Sequence, residues 1–420
     1  KVLIFALVIA FLQWKPSGAG LWTTVAGITE TNHELTGLVP GVTYSYRVRT
    51  VCDGGSSAYS PIVSFTTPCT LGALCDDGDP FTDSDIIVAD CVCAGTPPPA
   101  FQEIDKLVAG DRAEYDQFGS SVAISGDYAI VGAINADDTI DWNGRPGAAY
   151  IHMRSGDSWI QQQKIIPSEA IFDSEFGVSV AIDGDYAIVG AHDEGVDTGN
   201  WVYSAGAAYI FVRNGNTWIQ QQRIVANDPG YFAFFGSSVA ISGDYAIVGA
   251  PYDDHFGLSN IGSAYIFVRN GNTWTQQQKL LNGQGDASDM FGTSVAMSGD
   301  YALVGCPGYS INGNRGAAFI FKRNGTTWPQ QQRIQVSPAT YYNRFGQSVA
   351  INGDQLIVGA PNEDEVWDQD LNIGAAYIFV RSGNTWSQQQ RIEASDRENQ
   401  DRFGLSVAIS ADHAIVGAQY

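Results

Sequence analysis

The chain has 420 residues, 44% of them hydrophobic, and its 45 Asp and Glu against 22 Lys and Arg give a net charge of −23. A chain of that length divides into two or three modules rather than forming one domain. Its acidity excludes nucleic acid and anionic membrane surfaces as partners and favours cations or neutral polymers.

Residues 1–12, KVLIFALVIAFL, open basic and continue apolar, a run as long as a secretory h-region and too short to cross a bilayer as a helix. Residues 1–13 are therefore a signal-like apolar leader that implies export, or the first strand of the module that follows, with Ala10 to Trp14 buried in it. Over 14–67, the β-type run Trp22-Thr23-Thr24-Val25 is followed by Leu38-Val39-Pro40-Gly41-Val42-Thr43-Tyr44, then Tyr46 to Val51 and Phe65-Thr66-Thr67. These residues resemble the core strands and the Leu-x-Pro-Gly-x-x-Tyr corner of a fibronectin type III domain. The resemblance implies a partial β-sandwich serving as spacer or binding unit, with no enzymatic expectation.

Residues 68–100 are an acidic segment rich in cysteine that ends in the stiff linker Pro97-Pro98-Pro99. Cys52, Cys69, Cys75, Cys91 and Cys93 lie in or near it, and in an exported chain they favour disulfides over a zinc site, with the pairing open. Asp76, Asp77, Asp79, Asp83 and Asp85 around Gly78 gather oxygen ligands as a calcium loop would, although not at EF-hand spacing, so calcium is the one cofactor this segment could hold; a solvated acidic loop is the alternative.

From residue 101 to 420 one unit recurs. Phe-Gly pairs begin at Phe118, Phe176, Phe235, Phe291, Phe345 and Phe403, at intervals of 58, 59, 56, 54 and 58 residues, and a fixed period of that size marks a repeat architecture. Each unit reads as four antiparallel strands: Ser238 to Ile241, a Gly243-Asp244 turn, Tyr245 to Ala250, a variable loop, Ser263 to Arg269, an Asn-Gly turn, and Thr273 to Leu280. Gly and Ala where sheets meet, with a Gln triplet on a water-facing outer strand, suit the blades of a β-propeller. Cys306 takes the Ala place of Val-Gly-Ala, as a small buried hydrophobe.

These repeats resemble the FG-GAP units of integrin α-subunit propellers and of secreted bacterial proteins, on the strength of the six Phe-Gly pairs and the Val-Gly-Ala-Pro ends at Ala250-Pro251 and Ala360-Pro361. The resemblance implies an all-β propeller of six or seven blades in the full protein, five complete and one partial in this chain. It also implies calcium loops between the first two strands. Here that connection is cut to a turn with one Asp, at Asp127, Asp185, Asp244, Asp300, Asp354 or Asp412, and one carboxylate cannot supply six to eight oxygens. These residues are expected to be turn formers. Gln102 to Ala109 should form a fourth strand without a blade of its own, and the unpaired edge of the sixth unit should fray.

Between the second and third strands the loops vary and carry acids: Asp137, Asp138 and Asp141; Asp193, Glu194 and Asp197; Asp253 and Asp254; Glu363, Asp364, Glu365, Asp368 and Asp370. Trp142, Trp201 and Trp367 sit inside these loops and suit carbohydrate or peptide contact, so Trp142, Trp201, Trp367, Asp253 and Asp254 are the candidate ligand-binding residues. Trp159, Trp218, Trp274, Trp328 and Trp386 instead recur after the second turn, as structural residues between blades. The five His residues share no repeat position, and no nucleophile elbow, phosphate loop or zinc pairing occurs. The expectation is a non-catalytic, exported or cell-surface adhesion protein whose loops bind an extracellular protein or glycan; the alternative is a propeller-based polysaccharide hydrolase or lyase.

Overall fold

The computed structural model describes residues 2–5, 11–26, 28, 32–39, 41–52, 55–67, 83–87, 93–96, 105–136, 146–169, 174–283, 285–310, 316–336, 343–364, 371–411 and 413–419, with the backbone alone for 2–5, 32–33, 51–52, 55, 83–87 and 93–96. The chain forms two compact units, 1–103 and 104–420, and every regular element among the described residues is a β-strand.

In the first unit a four-stranded antiparallel sheet runs in the order Thr23–Ala26, Phe11–Pro16, Thr43–Arg49, Val63–Thr66, and Val2–Phe5 pairs with Asn32–Leu35. The apolar stretch at the start thus supplies strands, and Leu12, fully buried, sits at the centre of a core with Leu35, Trp14, Val25, Val48 and Phe65. Alternation along Phe11–Pro16 sends Leu12 and Trp14 inward and Phe11, Gln13 and Lys15 outward. The Tyr44 hydroxyl accepts a hydrogen bond from the Val39 amide at 2.9 Å, which closes the corner that the sequence pattern predicts. Asp83–Ile87 pairs with Cys93–Thr96.

The second unit is a β-propeller whose described residues form five four-stranded sheets and a two-stranded one, units 1 to 6 by their Phe-Gly pairs, with a further short hairpin in the loop of unit 2. In unit 3 the strands are Ser238–Ser242, Tyr245–Ala250, Ser263–Asn270 and Thr273–Leu280; in unit 6 they are Ser406–Ser410 and His413–Gly417. Neighbouring first strands touch all along the array, whereas fourth strands barely meet, so the sheets fan outward from their first strands.

The Phe-Gly pair explains the period. Phe235 is buried against Tyr265 and Phe267 of its own unit, with ring centroids at 5.4 and 6.0 Å. Gly236 donates its amide to Gly249 of its own unit at 3.0 Å, while its carbonyl accepts from Ser179 of unit 2 at 2.7 Å and crowds the α-carbon of Gly190. The same seam recurs at Gly177, Gly292, Gly346 and Gly404.

The Gln triplet corrects the expectation of a strand that merely faces water. Gln222 embraces the backbone of Trp274 in the next unit, accepting from its amide at 2.8 Å and donating to its carbonyl at 2.8 Å, and Gln221 accepts from its indole nitrogen at 3.0 Å. Gln163 and Gln162 hold Trp218 alike, and Gln278 and Gln277 hold Trp328. Trp218, Trp274, Trp328 and Trp386 are buried, each edge-on to the turn Tyr of the preceding unit (Tyr128, Tyr186, Tyr245 and Tyr301), which fits the expected role between blades.

Described residues 105–110 are irregular rather than a strand, yet they make the bonds of a preceding fourth strand. Asp105 accepts from the Trp159 amide at 2.7 Å, and Gly110 donates to Gln161 at 2.7 Å, as Asn227 does to Gln276.

Candidate functional site

The turn aspartates are engaged by arginine. Asp127, Asp185, Asp244, Asp300 and Asp354 each pair with a third-strand partner, Arg154, Arg213, Arg269, Arg323 and Arg381 respectively. Asp412 lies outside the described residues. Among the described residues no three His, Cys, Asp or Glu side chains gather as metal ligands.

The loop acids divide into two kinds. Glu194, Asp253 and Glu363 are buried, each against a third-strand tyrosine and a cation that follows the Gln triplet. Glu194 accepts from Tyr209 at 2.7 Å and pairs with Arg223 at 2.5 Å; Glu363 accepts from Tyr377 at 2.6 Å and Arg391 at 2.8 Å. Asp253 takes Ser263 at 2.6 Å, Tyr265 at 3.1 Å and Lys279 at 2.8 Å. Burial pushes the Glu194 carboxyl above the usual range, against the pull of Arg223 and Tyr209. Asp253, a sequence candidate for ligand binding, is therefore an interior residue: its place fixes the loop root. Asp254 is exposed, and its Oδ1 accepts from the Asn260 amide at 2.7 Å.

Unit 4 solves the same problem with different residues. Tyr309 stands where the carboxylate would, its hydroxyl bonded to Arg333 and its ring 5.4 Å from Phe319, which replaces the third-strand tyrosine. Nearby, Asp289 is fully buried; its Oδ2 accepts from Asn282 at 2.9 Å and from the Asp286 amide at 3.0 Å, while Oδ1 has no partner. Burial pushes its pKa up to about 6. Because the folded value is raised, its contribution to stability is full below pH 4 and lost as pH rises through 6. Asp289→Asn is expected to flatten the rise in stability on acidification from pH 7 to 4 by about 3 kcal/mol, read from urea melts at both ends. Equal pH dependence in the two proteins would refute it. Cys306 is buried, donates to the Asp289 carbonyl at 3.2 Å, and is held protonated by burial, in keeping with an unreactive small residue.

Above these roots the loops of units 2 and 3 form an aromatic surface. The hairpin Val196–Asp197 with Trp201–Val202 buries Val196 and Val202 and turns Trp201 outward. The indole lies on Gly195, where a Cβ would fall 2.3 Å from the ring. The Tyr231 hydroxyl donates to the Trp201 carbonyl at 3.4 Å, and the Phe232 amide donates to the Tyr203 carbonyl at 3.0 Å. Phe234 stands between His192 and Tyr252, at 5.2 and 5.4 Å, and His192 is fixed by Glu175 at 2.8 Å and Ser237 at 3.1 Å. Phe256, beside His255 at 5.0 Å, is 75% exposed; Tyr203, Tyr231 and Phe232 are more than half exposed, and Trp201 is 44% exposed. Phe234 holds a positive φ of 54°, as does the residue before every Phe-Gly pair (Gln117, Glu175, Met290, Arg344 and Arg402), so this conformation belongs to the repeat, whereas Phe256, at 56°, lies in the unit 3 loop.

Of the sequence candidates the structure leaves Trp201 and Asp254 exposed, on the loops of units 2 and 3 respectively. Trp142 and Trp367 lie outside the described residues, as do Asp76, Asp77, Asp79, Cys69, Cys75 and Cys91, and the side chains of Asp83, Asp85, Cys52 and Cys93. Tyr203, Tyr231, Phe232, Tyr252 and Phe256 were not singled out in the sequence; the signal for the last four is an aromatic cluster in two stretches, 231–235 and 252–256, and Tyr203 stands two residues after Trp201. Two cavities between units, about 370 Å³ beside Gln163, Phe211 and Trp218 and about 290 Å³ beside Met290, Pro307 and Arg344, are lined by no carboxylate, histidine or cysteine.

A family model for the FG-GAP repeat matches residues 101–152, 159–211, 218–267, 274–321, 328–379 and 386–420, and one for the fibronectin type III domain matches residues 8–66. No curated protein matches the chain.

Proposed function

The chain belongs to the FG-GAP repeat family, with a fibronectin type III domain ahead of its repeats, and from that premise we propose that it is an exported or cell-surface adhesion protein, not an enzyme, whose unit 2 and unit 3 loops bind an extracellular glycan or protein. Both kinds of module are typical of extracellular binding proteins, and among the described residues no helix is long and apolar enough to cross a membrane. The observation that carries the reading is the aromatic surface itself. Monomeric proteins seldom expose so many large rings together unless a partner covers them, and Trp and Tyr combine stacking area with a polar handle. The three segments that build it, 191–206, 226–236 and 251–262, contain no Lys or Arg, which favours a neutral or cationic ligand over a polyanion.

A polysaccharide hydrolase of the usual kind would need two carboxylates converging on one concavity. Glu194, Asp253 and Glu363 instead stand one per unit, each occupied by a tyrosine and a cation, which supports binding. The test is a screen of the full chain against extracellular glycans and proteins, followed by Trp201→Ala with Phe256→Ala. Phe256→Ala alone, at the more exposed ring, should weaken binding about tenfold or more with little change in melting temperature, because truncating a central interface ring costs about 2 kcal/mol. A hit that binds the variant as tightly would place the site elsewhere.

A further inference from the structure

The geometry points to a second binding surface, on the solvent side of the four-stranded sheet of residues 11–67, and to an acidic polysaccharide as its ligand. Six side chains there form one ladder. The Arg47 guanidinium lies 4.4 Å from the Trp22 ring and 4.3 Å from the Tyr59 ring; Arg49 lies 4.9 Å from Tyr59 and 4.7 Å from Phe11; Lys15 lies 4.9 Å from Trp22. Strand register sets this up: Gln13 pairs with Arg47 and Phe11 with Arg49, so alternation places them all on the face opposite the Leu12 core.

Three properties make this face a site for anions. Its cations share one face: Lys15, Arg47 and Arg49 lie together on it, whereas Glu34 is on the strand Asn32–Leu35 that pairs with Val2–Phe5, and Glu30 and Asp53 lie outside the described residues. Its cations are held in place before any ligand arrives, since ring stacking and the bonds from Arg47 to Gln13 at 2.9 and 2.8 Å already cost the side chains their freedom. Arg47 and Arg49 are two residues apart on one strand, hence about 7 Å, a spacing suited to successive charges on a polymer rather than to a single ion.

The neighbouring groups choose among polyanions. Thr43 and Thr66, bonded at 2.8 Å, are exposed, and strand alternation puts Thr43 on the face of Arg47 and Arg49, which adds hydroxyls that match those of a sugar. A neutral glycan is disfavoured because each ring of the ladder already has a cation against it.

The experiment uses the full chain over immobilised polygalacturonate, dextran sulfate and neutral dextran. Retention on the two acidic polymers alone, reversed by raising salt, is expected. Arg47→Gln with Arg49→Gln should lower affinity about tenfold per arginine, the size of a lost hydrogen bond to a charged group. Lys15→Gln, which removes a charge without touching the sheet's hydrogen bonds, should weaken binding with the melting curve unchanged, so a folding defect in the double variant would not decide the matter. Equal retention on neutral dextran, competition by duplex DNA as strong as by the polysaccharide, or full affinity in Lys15→Gln would each overturn the assignment.

Discussion

Gly249→Ala is expected to destabilise the repeat unit by about 3 kcal/mol or more and to lower its melting temperature by roughly 5–10 °C. A Cβ at this position would fall 2.1 Å from the Gly292 carbonyl oxygen of the next unit and 2.3 Å from Ser238 Oγ, and that hydroxyl is itself bonded to the same carbonyl. The Gly292 contact is backbone and cannot give way as a side chain would, and turning the Ser238 hydroxyl aside would break its bond to that carbonyl; the two units must separate along their first strands. Gly243→Ala is the control. Its φ is +58° but its Cβ position is open, so the cost should be about 1 kcal/mol, from backbone conformation alone. Calorimetry that ranks the two variants equally would mean the seam between units is looser than described.

The second large effect concerns the buried carboxylates. Arg223→Met should cost about 3–5 kcal/mol, because it leaves the fully buried Glu194 with the Tyr209 hydroxyl and no cation. Unit 4 supplies the rescue: Glu194→Tyr together with Tyr209→Phe, Arg223 retained, copies Tyr309, Phe319 and Arg333 and should keep most of the native stability. If the double variant is no more stable than Arg223→Met, the two arrangements are not interchangeable, and the carboxylate has a role in unit 2 beyond closing the loop root.

The strands and their turns were readable because each is a local event. Gly243-Asp244 and Asn270-Gly271 fix hairpins within two residues, and the Trp that follows the second turn recurs often enough to mark it as structural. What escaped the sequence depends on residues far apart. Glu194 meets Arg223 across 29 positions, and nothing in a list of loop acids separates it from Asp193 or Asp197. A signal was present all the same: a cation follows every Gln triplet, and in units 2, 3 and 5 an acid at one loop position accompanies the third-strand Tyr, the two changing together to Tyr309 and Phe319 in unit 4. The Gln residues misled for a similar reason. Polar side chains on an outer strand suit water, and their use as clamps on Trp274 or Trp328 depends on a neighbouring unit more than 50 residues away. The aromatic surface was half legible, through Trp201, because its other members come from a different unit.

The seam through Gly190, Gly249, Gly305 and Gly359 has a consequence for how such a chain changes in descent. Every unit offers its neighbour the same joint that it receives from the one before, a head-to-tail contact with no partner-specific residue in it. A duplicated or deleted unit would therefore meet a compatible neighbour on either side, and near-identical coding stretches invite such exchange. Selection on binding is then free to act on the loops alone, so copies of this array in related lineages should differ in unit number and loop sequence while the glycine seam stays the same.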